Sequence, residues 1–231
     1  MVRLGNFFFH YRNFLFPVFY ASLFIPSSVI FDSYPVSFFI GLGVILLGQS
    51  LRALTIGLAY IVRGGKNRRV YAEDLVTEGI FGHCRNPLYL GNILMLLGMG
   101  LVANSLLYLS IMFPFFVFIY QTIVLAEENY LRNKFGEAYD RYKKDVNRWA
   151  PNLKGLRKTL TGMRFKWKRV VLKEYNTTYF WITGAALLAA AKTGAFESMN
   201  RFLPALAAIA GLFVIYIYLK FLKKTKRLVS D

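Results

Sequence analysis

The chain has 231 residues, is 56% hydrophobic and carries a formal net charge of +17, with a mean hydropathy of +0.40. A soluble domain rarely combines those values, whereas an integral membrane protein with basic cytoplasmic loops does so naturally. A pI near 10.0 also raises nucleic-acid binding, but the basic residues lie beside apolar spans and no nucleic-acid-binding motif is present, so no nucleic-acid partner is expected.

Six apolar spans are expected in chain order, over residues 14–31, 36–60, 88–103, 106–126, 178–191 and 202–222. The first contains Pro17 and Pro26 and lacks a small-x-small cleavage site, so a retained span is expected rather than a signal peptide. The third and fifth are short and fit tilted or half-spanning helices. Arg3 and Arg12 precede the first span, Arg63, Lys66, Arg68 and Arg69 follow the second, and 14 Lys or Arg residues lie between Arg132 and Lys173. Lys220, Lys223, Lys224, Lys226 and Arg227 close the chain, while the opposite connections hold only Asp32, the Asn104-Ser105 turn, Lys192, Glu197 and Arg201. Alternation of positive charge at each crossing predicts an all-α, multi-pass protein of about six transmembrane helices with both termini cytoplasmic. Its expected organisation is a core of four spans plus an interfacial helix over 1–153, a basic amphipathic cytoplasmic linker over 154–177, and a C-terminal transmembrane hairpin with a basic tail over 178–231. The linker, with Phe165 and Trp167 among its cations, suits an anionic lipid surface. The Ala-rich fifth span fits close helix packing, and the hairpin is a candidate oligomer interface.

Two polar motifs stand at the feet of one apolar hairpin. The first is His83-Cys84-Arg85-Asn86-Pro87-Leu88-Tyr89-Leu90-Gly91. The second begins at Glu127-Glu128 and continues through Leu131, Phe135-Gly136 and Tyr139 to Tyr142. Two helices of roughly 18 residues go out about 27 Å and return, so Arg85 and Glu127 are expected close together on the cytoplasmic face. Pro87 suits the first helical turn and Asn86 its cap. Beyond Glu128, apolar residues recur every three or four positions through Val146 and Trp149, with i,i+4 charge pairs such as Glu128–Arg132 on other faces, which predicts an amphipathic helix ended by Pro151 and weakened at Gly136. Cys84 is the only cysteine, so no internal disulfide is possible; beside Arg85 it is a candidate low-pKa thiolate, but it is expected to be incidental. His83 is expected to be solvated, and no residue cluster has metal-ligand spacing.

Arg52 is the remaining outlier. It lies inside the second span beside Gln49 and Ser50, and an intramembrane arginine is costly and usually functional. It is a candidate for orienting an anionic group of an acceptor.

In order along residues 40–151 run Leu75-Val76-Thr77-Glu78-Gly79-Ile80-Phe81, Arg85-Asn86-Pro87-Leu88-Tyr89-Leu90-Gly91, Glu127-Glu128-x-x-Leu131, Phe135-Gly136-x-x-Tyr139-x-x-Tyr142 and Pro151. This series resembles the membrane methyltransferase superfamily of isoprenylcysteine carboxyl methyltransferase and the phospholipid (phosphatidylethanolamine) N-methyltransferases. The resemblance implies S-adenosylmethionine (SAM) as methyl donor, held at the cytoplasmic ends of the hairpin, and a lipophilic acceptor entering from the bilayer. It places Asn86, Tyr89, Gly91, Glu127 and Glu128 in the cofactor pocket. Asn86 stands where the family usually has histidine, which keeps hydrogen-bonding capacity and removes titration near neutrality. Against the charges of SAM, Arg85 suits the carboxylate, Glu127 and Glu128 the ammonium or ribose hydroxyls, and the faces of Tyr89 and Tyr142 the sulfonium. Arg52 and Arg85 are thus the candidate catalytic residues. The acceptor is expected to be an isoprenylcysteine-type carboxylate or a lipid amine. Alternatives are an NADPH-dependent membrane sterol-type reductase, which resembles the superfamily over the same hairpin, and an inactive membrane scaffold.

Overall fold

The computed structural model describes residues 1–59 and 70–225. The end of the second span at Tyr60, the cations Arg63, Lys66, Arg68 and Arg69, and Lys226 and Arg227 lie outside the described residues. Among the described residues the fold is all-α, with eight helices: α1 Val2–Ala21, α2 Tyr34–Leu58, α3 Pro87–Val102, α4 Phe113–Phe135, α5 Glu137–Asp145, α6 Leu156–Gly162, α7 Trp167–Lys192 and α8 Met199–Lys224.

Three helical stretches are long and apolar enough to cross a membrane: Tyr34–Leu58, Tyr108–Phe135 and Met199–Lys224. The middle one joins α4 to a π turn at Tyr108–Met112. Pro114 lacks the N–H that would bond back to residue 110, and a widened turn accommodates that gap. The apolar α3 is 16 residues long, about 24 Å at helical rise. The protein is an integral membrane protein.

The first helix differs from expectation. Hydropathy predicts a span over 14–31, but α1 begins at Val2 and ends at Ala21, followed by a 3-10 turn at Ser22–Phe24 and extended chain. Arg3, His10 and Arg12 lower hydropathy without lowering helix propensity, while Pro26 and Ser27-Ser28 end regular structure. At the other end of the chain, α7 runs unbroken from Trp167 to Lys192, through the 177/178 boundary expected between linker and hairpin.

Helices α2 and α3 form the closest pair. A Cβ on Gly48 would lie 2.6 Å from the Gly91 carbonyl oxygen, and one on Gly98 would lie 2.6 Å from that of Gly41. Glycines seven residues apart on each helix therefore meet in antiparallel register, and only they allow the backbones to approach this closely. Helix α1 packs on α4 through aromatic edges, Phe16 on Phe116 and Tyr120, and Phe19 on Phe115. Buried Leu23, Ile45, Met99, Tyr108, Phe116, Trp181 and Leu188 join the core across α2, α3, α4 and α7, and α8 packs on α7. At one end Asn104 Oδ1 accepts from the backbone N–H groups of Ile30 and Phe31, and Ser37 donates to the Leu101 carbonyl. The opposite end collects the start of α3, the end of α4, and α5 and α6.

Candidate functional site

The amphipathic stretch after Glu128 is two helices. Gly136, at φ 52°, ends α4 and starts α5, a positive φ that costs glycine little. Leu131, Tyr139, Tyr142 and Val146 bury together against Ala72, with Leu75 beside them, so this stripe packs on protein. After α5 the chain forms a strap over the first motif. Arg85 N–H donates to the Asn147 carbonyl at 2.9 Å, and Asn152 N–H to the His83 carbonyl at 2.9 Å. Trp149 Nε1 donates to Gln121 Oε1 at 2.8 Å.

Under the strap the charged residues converge. Glu128 pairs bidentately with Arg148, at 2.9 Å to Nε and 2.8 Å to Nη2, and lies 3.5 Å from Arg85 Nη2. That carboxylate raises the pKa of Arg148 further. Tyr89 hydroxyl donates to Glu127 Oε1 at 2.6 Å. Arg85, Asn86, Glu127 and Glu128 are all buried. Arg85 Nε and Nη1 are buried and have no hydrogen-bond partner among the described residues, although buried guanidinium donors are costly to leave unmade.

The other expected site residues have definite places. Asn86 stands at the cap position of α3 without a side-chain cap bond; its amide donates to the Arg148 carbonyl at 3.3 Å. Gly91 lies in the α2–α3 seam, under the Arg52 side chain, rather than at the charged cluster. Tyr142 hydroxyl donates to the Phe81 carbonyl at 2.7 Å, which ties α5 to the turn before His83. His83 is buried rather than solvated, with Nδ1 2.6 Å from the Asn152 carbonyl and Nε2 2.9 Å from Thr159 Oγ1. Cys84 is fully buried, and burial pushes its thiol pKa up despite neighbouring Arg85.

Arg52 is engaged elsewhere. Its Nε and Nη2 donate to Glu174 of α7 at 2.8 and 2.6 Å, and its Nη1 donates to Asn92 Oδ1 at 2.6 Å. Gln49 Nε2 donates to the same carboxylate at 3.0 Å and accepts from Trp181 Nε1 at 3.1 Å. A cavity of about 490 Å³ lies beside this network, walled by α1, α3, α4 and α7, with Phe16, Tyr20, Asn92, Tyr120, Phe180 and Trp181 in its lining. Tyr120 also stacks at a tilt on Tyr89, with ring centroids 5.4 Å apart. Polar and aromatic groups thus run from Glu127 through Tyr89, Tyr120 and Asn92 to Arg52. A second, more polar cavity of about 660 Å³ lies between the start of α1 and the end of α4, lined by His10, Asn129 and Asn133 among others.

Sequence reasoning missed Arg148 and Glu174. Glu174 had a signal: it is the one acid between Asp145 and Glu197, on a chain whose second apolar span holds Arg52.

Residues 36–138 match the phospholipid methyltransferase family. That match spans 103 of the chain's 231 residues. It is 31% identical over 131 residues to a protein-S-isoprenylcysteine O-methyltransferase of Schizosaccharomyces pombe, covering 53% of this chain and 51% of that one. It is 30% identical over 109 residues to the cobalt-zinc-cadmium resistance protein CzcN of Cupriavidus metallidurans, covering 47% and 48%. It is also 43% identical over 63 residues to an uncharacterised Haemophilus influenzae protein, covering 27% and 98%. The chain spans about half the length of the first two relatives. No solved structure matches. The part matched to the phospholipid methyltransferase family contains Arg52, Arg85, Asn86, Tyr89, Gly91, Glu127 and Glu128. Tyr142, Arg148 and Glu174 lie beyond it.

Proposed function

We propose that this chain is a membrane-embedded, SAM-dependent methyltransferase acting on a lipophilic acceptor, an isoprenylcysteine-type carboxylate or a lipid amine. The observation that carries the reading is Arg85, buried within the superfamily match and beside two buried carboxylates, with Nε and Nη1 unpartnered among the described residues. A planar guanidinium with two open donors fits a ligand carboxylate. Glu127, oriented by the Tyr89 hydroxyl, suits an ammonium or ribose hydroxyl on the same ligand, and Arg148 holds Glu128 in place. SAM supplies a methyl group on a sulfonium; the acceptor–methyl bond forms as the sulfur–methyl bond breaks, leaving a neutral thioether. The protein's part is alignment and exclusion of water, and the strap over residues 83–86 together with the buried carboxylates suits that task.

The cavity beside Asn92 is the place for the acceptor's apolar part, because it adjoins Tyr89 through Tyr120 and its walls belong to membrane helices. Arg52, compensated by Glu174, braces that cavity instead of meeting an anionic acceptor group. The reading includes six membrane-crossing helices, α1 to α4, α7 and α8, with both termini cytoplasmic, and an anionic lipid surface facing residues 154–173, where Trp167 is 71% exposed among cations. SAM calorimetry on detergent-purified protein tests the reading, with Glu127→Ala as the paired control. Micromolar binding weakened at least tenfold in the variant is expected, followed by transfer of radiolabelled methyl to a membrane-lipid extract. No binding by folded wild-type protein overturns the reading.

A further inference from the structure

We infer that α7 completes the lipophile site and that Glu174 is its positioning residue, an inference that rests on the cavity being the acceptor's place. Two residues of the cavity wall, Asn92 of α3 and Trp181 of α7, are each held from behind by a hydrogen bond. Asn92 Oδ1 accepts from Arg52 Nη1 at 2.6 Å, and Trp181 Nε1 donates to Gln49 Oε1 at 3.1 Å. Arg52 and Gln49 are in turn both bonded to the Glu174 carboxylate, at 2.6, 2.8 and 3.0 Å. One buried carboxylate therefore fixes two wall residues on different helices.

It also sets the charge of that wall. The Arg52 side chain is 12% exposed and that of Glu174 4%, so neither ion is hydrated as in water, and each depends on the other. With Glu174 present, the Arg52 charge behind the wall is balanced. With Glu174 neutralised, an uncompensated guanidinium beside an apolar cavity draws in water or an anion at the expense of an apolar chain. The ligand class this selects is a lipophile whose buried part is an uncharged chain, with any hydrogen-bonding group facing Asn92 and Tyr120. Helix α7, which follows the family match, is on this account part of the substrate site and a determinant of specificity.

The test reads lipophile binding directly. In a Trp149→Phe, Trp167→Phe background, Trp181 is the sole tryptophan and lines the cavity, and the probe is a dibrominated octadecyl alcohol, whose bromines quench indole on contact. Saturable quenching is expected. Glu174→Gln raises the half-saturation concentration about tenfold, the scale of one lost charge-assisted interaction, and Glu174→Asp keeps it within about threefold. The double variant Arg52→Gln, Glu174→Gln buries no uncompensated ion; it stays folded and recovers most of the lost affinity. Quenching that never saturates, an unchanged midpoint in Glu174→Gln, or a double variant as weak as the single one overturns the inference. SAM calorimetry on the same Glu174 and Arg52 substitutions, made with Trp149 and Trp167 retained, separates the two readings: Glu174→Gln leaves SAM affinity within about twofold. A protein that binds no SAM yet shows the quenching pattern removes the methyltransferase reading alone.

Discussion

At the residue scale, Arg85 decides more than any other side chain. Its guanidinium touches Glu128 at 3.5 Å and leaves two buried nitrogens unpartnered among the described residues, so in the absence of ligand it carries an unmet desolvation cost. Arg85→Ala removes that cost together with the ligand contact. The expected outcome is a protein at least as heat-stable as wild type that binds SAM about 10- to 100-fold more weakly, the range of one or two charge-assisted hydrogen bonds, read by calorimetry beside a thermal melt. A fall in melting temperature with unchanged SAM affinity would assign Arg85 to structure alone. The convergence of Arg85, Tyr89, Glu127 and Glu128 was legible in the sequence because a two-helix excursion of equal arms returns to its starting face. Arg148 and the His83 anchors were not, because Arg148 and Asn152 sit in loops and Thr159 on the short helix α6, where contacts follow no period that the sequence displays. The strap that joins them is set by backbone bonds from Arg85 to Asn147 and from Asn152 to His83, which leave no mark in residue type.

At the element scale, the α2–α3 seam positions both halves of the site. Gly91 resembles a cofactor-pocket position by motif, yet it lies where α2 comes nearest, and a Cβ there would meet Arg52 Cγ at 2.5 Å and the Gly48 carbonyl oxygen at 2.8 Å. The helix separation that these glycines permit also lays Arg52 toward Asn92 and Glu174. Gly91→Ala therefore both wedges the helices and displaces Arg52. We expect it to destabilise by about 1–3 kcal/mol, the usual cost of overpacking, whereas Gly43→Ala, with no atom within 4 Å of its Cβ, should be neutral or stabilise by about 0.5–1 kcal/mol through helix propensity. Melting temperatures of the two variants in one detergent check this, and equal shifts would refute close packing at Gly91. Hydropathy located the helices of the core but not the starts of α1 and α7, because it measures suitability for lipid. Both helices begin with charged turns that remain helical. Glu174 lies in such a turn, so the acid that neutralises Arg52 falls just outside the span that hydropathy marks.

At the scale of the whole molecule, charge and geometry make separate statements that have to agree. The fold brings the starts of α3 and α7 and the end of α2 to one end: Lys166 N–H donates to the Gly57 carbonyl at 2.9 Å, and Lys223 of α8 reaches the Leu172 carbonyl at 3.3 Å. The same end carries the exposed cations Lys154, Arg157, Lys158, Arg164 and Lys168, while the hairpin turn between α7 and α8 has Glu197 and lies at the far end of α7. Because translocation of short basic loops is disfavoured, we propose that the basic end, with the charged cluster at Arg85, faces the cytoplasm and the Glu197 turn the opposite side. Single cysteines test this in a Cys84→Ser background, placed by Lys158→Cys and Glu197→Cys. A membrane-impermeant maleimide added to intact cells should label the residue 197 site at once and the residue 158 site only after permeabilisation. Labelling of both from the same side would mean that α7 does not cross, and α8 would then carry the C-terminus to the opposite face from the one charge dictates. The reverse pattern would keep the fold but invert it, placing the Arg85 cluster, which we propose holds the methyl donor, away from the cytoplasmic pool of that polar, charged molecule.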